Sequence, residues 1–239
     1  MKLQISMTQH DGFYTSPAHA NRGDGVGERD YVYVSRYHCA SDYKSKTGNS
    51  IKAYISINDA YTGIHNLGTN IWELDIATLW TIRMLYLVEF ANWDIHTKIG
   101  MTWGGSPVNT GYTDSMPYHT GTMKQDRTTN GAGAQYRYME GLFDNYQYFV
   151  NGLSQYGNSI YVCNNPANQN DTSKYIYIGN GISTGTSHLT ISSYNISNVS
   201  GYEYILIPTA YSGNSNNYTC TNIVASGNSS YSAYVSGEN

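Results

Sequence analysis

Charge is scarce in this chain. Of its 239 residues only 13% are Asp, Glu, Lys or Arg, with 17 acids against 13 bases and a formal net charge of −4. Globular chains average about 25%, so neutral polar groups must wet this surface. Binding nucleic acid through its phosphates needs a basic face; the sequence offers none, and no nucleic-acid partner is expected. Long apolar runs are missing too. No stretch approaches the ~18 residues of a membrane-spanning helix, so no membrane insertion is expected. The opening residues Met1-Lys2-Leu3-Gln4-Ile5-Ser6 lack the apolar core of a secretory leader, and none is expected. Cysteine is limited to Cys39, Cys163 and Cys220. An odd number at wide spacing is no disulfide framework, and there is no Cys-x-x-Cys or Cys/His cluster to suggest zinc. One pair can still form, Cys163 with Cys220 first; otherwise the three read as small, mostly buried hydrophobes.

Phenylalanine is rare as well, with 4 Phe against 25 Tyr. Asn, Ser and Gly are abundant, increasingly so towards the C-terminus. Tyrosine gives a large rigid contact area for two side-chain torsions and adds a hydroxyl, while Ser, Asn and Gly hydrogen-bond adaptably. That mixture is the vocabulary of antibody-like binding loops. A Tyr-rich β core with polar turns fits the same composition, and both readings stand.

Residues 1–30 read as a turn-rich N-terminal extension or entry segment, and 31–239 as one domain. Within the extension, Arg22-Gly23-Asp24 has the form of an adhesion triplet, although such triplets arise often by chance in loops. Tyr31-Val32-Tyr33-Val34-Ser35-Arg36-Tyr37 is β-branched and aromatic and predicts a first strand. Residues 72–93 predict a long helix, with apolar positions 76, 80, 84, 87, 88 and 91 in a continuous stripe. Leu79, Ile82 and Leu85 widen the stripe, so the helix is expected to be buried on most sides as a core helix rather than a cofactor box. After Gly100, glycine-rich punctuation such as Gly104-Gly105-Ser106-Pro107 marks loops between short strands. Strands are expected at Tyr146–Val150, Ser159–Cys163, Tyr175–Ile178, Tyr204–Ile207 and Tyr231–Val235. No linker, second hydrophobic centre or fixed-period repeat divides the chain.

Catalytic signatures are absent. There is no Gly-x-Ser-x-Gly elbow, no phosphate-cradling glycine loop and no His-Glu-x-x-His helix. The seven histidines are dispersed, and His38 and Cys39, as neighbours on a strand, would point to opposite faces. Asp94, Asp114, Glu140 and Asp144 can meet only if the fold brings them together. Calcium wants several converging carboxylate and carbonyl oxygens. Asn164-Asn165-Pro166 and Asn168-Gln169-Asn170-Asp171 supply amide oxygens but a single acid, and read as a turn. No catalytic residue, metal ligand or cofactor is assigned, and an enzyme is not expected.

Several blocks nevertheless carry a resemblance. Tyr136-Arg137-Tyr138-Met139-Glu140-Gly141-Leu142-Phe143-Asp144-Asn145-Tyr146-Gln147-Tyr148-Phe149-Val150-Asn151-Gly152 resembles the Tyr-Arg-Gly-Ile-Glu-Asn-Leu-Trp-Gly-Asn-Val-Trp-Glu-Trp-Val-Asp-Gly block of the formylglycine-generating-enzyme-like branch of the C-type lectin fold. Met84-Leu85-Tyr86-Leu87-Val88-Glu89-Phe90-Ala91 with Ile99-Gly100 is similar to the same proteins' Met-Leu-Tyr-Leu-Val-Glu-Tyr-Ala and Ile-Gly. Gly111-Tyr112-Thr113-Asp114 and Thr120-Gly121 fall where they have Gly-Ala-Thr-Asp and Thr-Gly. Val162-Cys163-Asn164-Asn165-Pro166-Ala167-Asn168, Ile207-Pro208-Thr209-Ala210 and Tyr218-Thr219-Cys220 also fit. So do Pro17-Ala18-His19 and the segment from Val32 to Tyr37. The match runs from about residue 17 to the end, and the shared order of the blocks is its strength. The departures are Phe143 and Tyr148 for tryptophans, and Tyr138 and Asp144 for glycines.

The resemblance implies an α+β, C-type lectin-like fold with a buried central helix, short antiparallel strands and long loops. It is common in phage and prophage tail or minor structural proteins and in the variable proteins of diversity-generating retroelements. The implied function is a non-enzymatic phage virion protein, a tail or receptor-binding component made in the bacterial cytoplasm and carried on the particle. Its Tyr/Asn/Ser-rich C-terminal loops would recognise a host surface protein or glycan. The implied ligand-binding residues are Tyr211, Asn214, Asn216, Asn217, Tyr218, Asn222, Tyr231 and Tyr234. Partners would be other virion proteins or copies of the same chain in a homo-oligomer. Family members run on to a last hairpin whose final strand pairs beside the first, so either another subunit caps the edge near Tyr31–Tyr37, which is the preferred expectation, or these 239 residues are a fragment lacking that hairpin. The alternative is a capsid-decorating or tail-scaffold protein. A lectin or formylglycine-type oxidase is less favoured: the calcium-lectin carboxylate-Pro-Asn triplet is missing, and Cys220 stands without the late cysteine pair of the copper-dependent oxidases.

Overall fold

The computed structural model describes residues 10–92, 99, 109–116, 122–123, 134–142, 148–181, 190–212, 222–225 and 233–236. Two helices precede a set of small antiparallel sheets, an α+β arrangement. The helices are α1 (Ile57–His65) and α2 (Ile76–Phe90). Eleven strands are described: β1 (Thr122–Met123), β2 (Ala134–Tyr136), β3 (Met139–Glu140), β4 (Tyr148–Val150), β5 (Leu153–Tyr156), β6 (Ser159–Val162), β7 (Ile176–Asn180), β8 (Thr190–Ile196), β9 (Leu206–Ser212), β10 (Asn222–Ala225) and β11 (Ala233–Ser236). They form sheets in the orders β1-β2-β3, β10-β11-β4, β5-β6-β7 and β8-β9.

Helix α2 is the expected central helix, shorter at both ends than 72–93. Asp75 caps its N-terminus, its side chain accepting from the Thr78 N–H at 3.0 Å. Ala91 ends it in the left-handed region at φ 48°, donating its N–H to the Leu87 carbonyl. Ile76, Ala77, Leu79, Trp80, Thr81, Ile82, Arg83 and Tyr86 are all buried, which is burial on more than one face. Its apolar side chains meet the inner faces of the sheets in one core with Tyr136, Val150, Leu153, Ile160, Val162, Ile178 and Ile207.

Helix α1 is an addition to the elements expected from sequence. Ser56 caps it, accepting from the Asp59 N–H at 3.1 Å, but its nine residues include Gly63 and the β-branched Ile57, Thr62 and Ile64, which are weak helix formers. The expected strand at Tyr31–Tyr37 is not formed. That segment is in no ladder; its contacts include the Glu140 N–H donating to the Arg36 carbonyl at 2.7 Å and the Tyr37 N–H to Ser45 Oγ at 3.0 Å. Tyr31 and Tyr33 are 76% and 93% exposed. Strand propensity expresses fit to a half-buried pleated surface, and among the described residues no such surface lies against those rings. The other five expected strands overlap β4, β6, β7, β9 and β11, with Tyr146, Gln147, Tyr231 and Ser232 of the expected segments outside the described residues. Among the described residues the β8-β9 sheet has two strands, which makes β9 an edge strand where Pro208 is tolerated, and its pairing with β8 carries irregular register.

Candidate functional site

The N-terminus of α2 sits on a buried polar network. Asp75 forms an ion pair with Arg22, their side chains 4% and 8% exposed. Gln169 donates Nε2 to Asp75 Oδ2 at 3.0 Å and to the Cys163 carbonyl at 3.0 Å. Arg22 Nε donates to the Asn164 carbonyl at 2.8 Å, and Asn165 Nδ2 to the Gly23 carbonyl at 2.8 Å. The segment from Ala18 to Gly23 is thereby strapped to α2 and to residues 163–165, with Ala18 N–H donating to Thr81 Oγ1 at 3.1 Å. This disposes of the adhesion reading of Arg22-Gly23-Asp24: Arg22 is buried against Asp75, and Asp24 is paired with Arg29.

Beside Asp75, Asn151 joins the helix to the strands. Its backbone bridges to Asp75, with Ile76 N–H donating to the Asn151 carbonyl and Asn151 N–H to the Leu74 carbonyl, both at 2.9 Å. Its side chain donates to Glu73 Oε2 at 3.2 Å and accepts from the Gly152 N–H at 2.9 Å. Burial pushes the Glu73 carboxyl up to about 8, against the opposing Asn151 hydrogen bond. Gly152, at φ 74°, has no room for a side chain: a Cβ would stand 2.5 Å from Gln169 Nε2 and 2.8 Å from the Cys163 carbonyl oxygen. Tyr175 and Tyr204 close the network, donating to the Gln169 carbonyl at 2.7 Å and to Asn164 Oδ1 at 2.6 Å. Burial raises the pKa of both phenols. Cys163 is a buried free thiol, its pKa raised by burial, and Cys220 lies outside the described residues.

A second cluster forms where β3 meets the 109–114 turn. The Glu140 carboxylate accepts from the Gly111 N–H at 2.8 Å, the Thr113 N–H at 2.9 Å and Thr113 Oγ1 at 2.6 Å. Asp114 lies on the outer side of the same turn, accepting from Tyr37 Oη at 2.5 Å and Thr47 Oγ1 at 2.6 Å and paired with Arg36 at 2.8 Å. Of the four carboxylates that needed the fold to bring them together, Glu140 and Asp114 do share this neighbourhood. Asp94 and Asp144 lie outside the described residues. His38 is also here, its pKa lowered by burial. Residues 164–171 form the expected turn: a single 3-10 turn at Pro166–Asn168 is capped by Asn165, whose side chain accepts from the Ala167 N–H. Among the described residues no group of three His, Cys, Asp or Glu is placed to hold a metal, and no described helix is long and apolar enough to cross a membrane.

The C-terminal binding residues are only partly placed. Tyr211 lies in β9, opposite Ile191 of β8. Asn222 lies in β10 opposite Ser236, and Tyr234 in β11 between Val224 and Phe149. Asn222 and Tyr234 therefore share one three-stranded sheet, whereas Tyr211 belongs to another. Asn214, Asn216, Asn217, Tyr218 and Tyr231 lie outside the described residues. The Arg22–Asp75–Gln169 network has no sequence signal, because its members are 53 and 94 positions apart and of ordinary polar type. No protein-family model, no curated protein and no solved structure matches this chain.

Proposed function

We propose that this chain is a non-enzymatic phage virion protein with a C-type lectin-like fold, a tail or receptor-binding component that recognises a host surface ligand through its Tyr/Asn/Ser-rich C-terminal part. The observation that carries the reading is the way separate sequence blocks of the resemblance meet. Glu140 of one block holds Gly111 and Thr113 of another. Glu89 of the helix block accepts from Tyr136 Oη at 3.2 Å and Arg137 Nε at 3.1 Å. Asn151-Gly152 packs on Cys163, whose N–H donates to the Gly152 carbonyl at 2.9 Å. The Arg22–Asp75–Gln169 network braces the N-terminus of α2, and the adhesive role is read from the composition of the C-terminal part and from the resemblance.

The experiment is adsorption of the purified, labelled chain to a panel of bacterial strains. Saturable retention on some strains and not on others is the expected result; uniform absence of retention defeats the reading. The scaffold alternative draws on the exposed Tyr31 and Tyr33, since obligate interfaces are rich in aromatics and poor in charge. A chain that elutes as a monomer on size exclusion favours the receptor module, and one that assembles favours the scaffold.

A further inference from the structure

The backbone and side chains from Asp30 to Ser35 take part in no hydrogen bond among the described residues. Tyr31 to Ser35 run without a turn or bend, and none has a positive φ. Tyr31, Tyr33 and Val34 are exposed. An exposed stretch of strand composition with unpaired backbone is a template for another strand. The bonds at its two ends say which edge is open. In an extended chain one residue turns its N–H and C=O to one edge, and its neighbours turn theirs to the other. The Arg36 carbonyl accepts from the Glu140 N–H, so Val32, Val34 and Arg36 share the edge towards β3. Tyr31, Tyr33 and Ser35 present their groups to the opposite edge. That edge is closed off on either side, where the Arg29 N–H donates to the His19 carbonyl at 2.8 Å and the Tyr37 N–H to Ser45 Oγ at 3.0 Å.

The same segment of a second copy, antiparallel and centred on Tyr33, fits this short edge without remainder. Tyr33 meets its own counterpart and Tyr31 meets Ser35, so all three open residues are hydrogen-bonded. A register shifted by two sets one of them against Arg29 or Tyr37, whose N–H is already used. The centred register also places Val32 against Val34 and Asp30 against Arg36. Charge is thus matched twice across the pair: Asp30 is exposed and in no ion pair among the described residues, and Arg36, though paired with Asp114, keeps 36% of its side chain exposed. Opposite charges facing each other across an antiparallel pair stabilise it, and like charges oppose it. We propose that residues 30–36 dimerise the chain as an antiparallel two-stranded ladder with its two-fold axis at Tyr33. The interface is isologous and consumes the segment in both copies, so association stops at two. One short strand per copy makes a small interface, at the weak end of specific association. The pairing does not depend on the adhesion reading.

The test is sedimentation velocity of the full chain under reducing conditions, from about 1 to about 500 μM. A monomer–dimer equilibrium with no larger species is expected. Tyr33→Pro removes the central N–H donor and is expected to raise the dimer dissociation constant by at least about tenfold. Its melting temperature is expected to hold, because Tyr33 is 93% exposed in the single chain. Asp30→Lys, at an exposed position, keeps the test decisive should proline disturb the fold. It sets a cation against Arg36 and is expected to weaken the dimer, most at low salt. A chain that stays monomeric throughout, as it does if the segment serves a different protein or none, overturns the proposal. So does a dimer that either variant leaves intact, or association that continues past two copies.

Discussion

At the scale of single residues, the fold is held by a few polar groups that burial has made sensitive. In an unfolded chain the Glu73 carboxyl titrates near its ordinary 4.5, while in the folded protein it titrates at about 8. Below the lower value both states hold the proton and there is no penalty. Between the two, the unfolded chain releases the proton and the folded one keeps it, so stability falls as pH rises and levels off above about 8. Melting temperature measured from pH 4 to 9 is expected to show that decline, and Glu73→Gln to flatten it. The Arg22–Asp75 pair makes a sharper demand. Asp75→Ala removes a helix cap and strands a buried guanidinium, at an expected cost of about 3–5 kcal/mol in urea unfolding; a loss under about 1 kcal/mol would mean that Arg22 reaches water. Gly152→Ala drives a Cβ into Gln169 and the Cys163 carbonyl, so it is expected to cost more than about 1 kcal/mol.

At the scale of elements, α2 is legible in the sequence because an apolar stripe wider than one face is what a helix enclosed by sheets requires. Leu79 is fully buried at 0% exposure, and Leu79→Ala is expected to cost about 3–5 kcal/mol. Its C-terminal cap is improvable: Ala91 is exposed in the left-handed region, where Ala91→Gly is expected to raise stability by up to about 1 kcal/mol in the same unfolding assay. Helix α1 is less legible, since Ser56 and Asp59 mark its start but Gly63 and β-branched neighbours weaken the periodicity that would extend it. The segment from Tyr31 to Tyr37 shows the opposite failure. Its composition is that of a strand, yet a strand is made by its partner, and the described residues supply one backbone bond, Glu140 to Arg36. Strands that sequence does reveal, such as Ser159–Val162, alternate buried and half-buried positions along their length.

At the scale of the whole molecule, the α+β class and the central helix follow from pattern, while the network beneath the helix does not. Arg22, Asp75, Asn151 and Gln169 are brought together from four parts of the chain, and pairings of that kind leave no periodicity to read. The Glu140 clamp is half visible: its two sequence blocks stand out, though not that the carboxylate of one caps the amides of the other. The C-terminal residues rest on composition and resemblance, and Tyr211 with Asn222 and Tyr234 fall in two sheets rather than one. A recognition surface drawn from all three must therefore bridge two hairpins. The most direct measurement is adsorption of the chain to a retaining bacterial strain, compared with a Tyr211→Ala, Asn217→Ala, Tyr231→Ala triple variant whose melting temperature is recorded alongside. Adsorption is expected to be lost with the melting temperature unchanged; undiminished adsorption by the folded triple variant would overturn the proposed recognition surface.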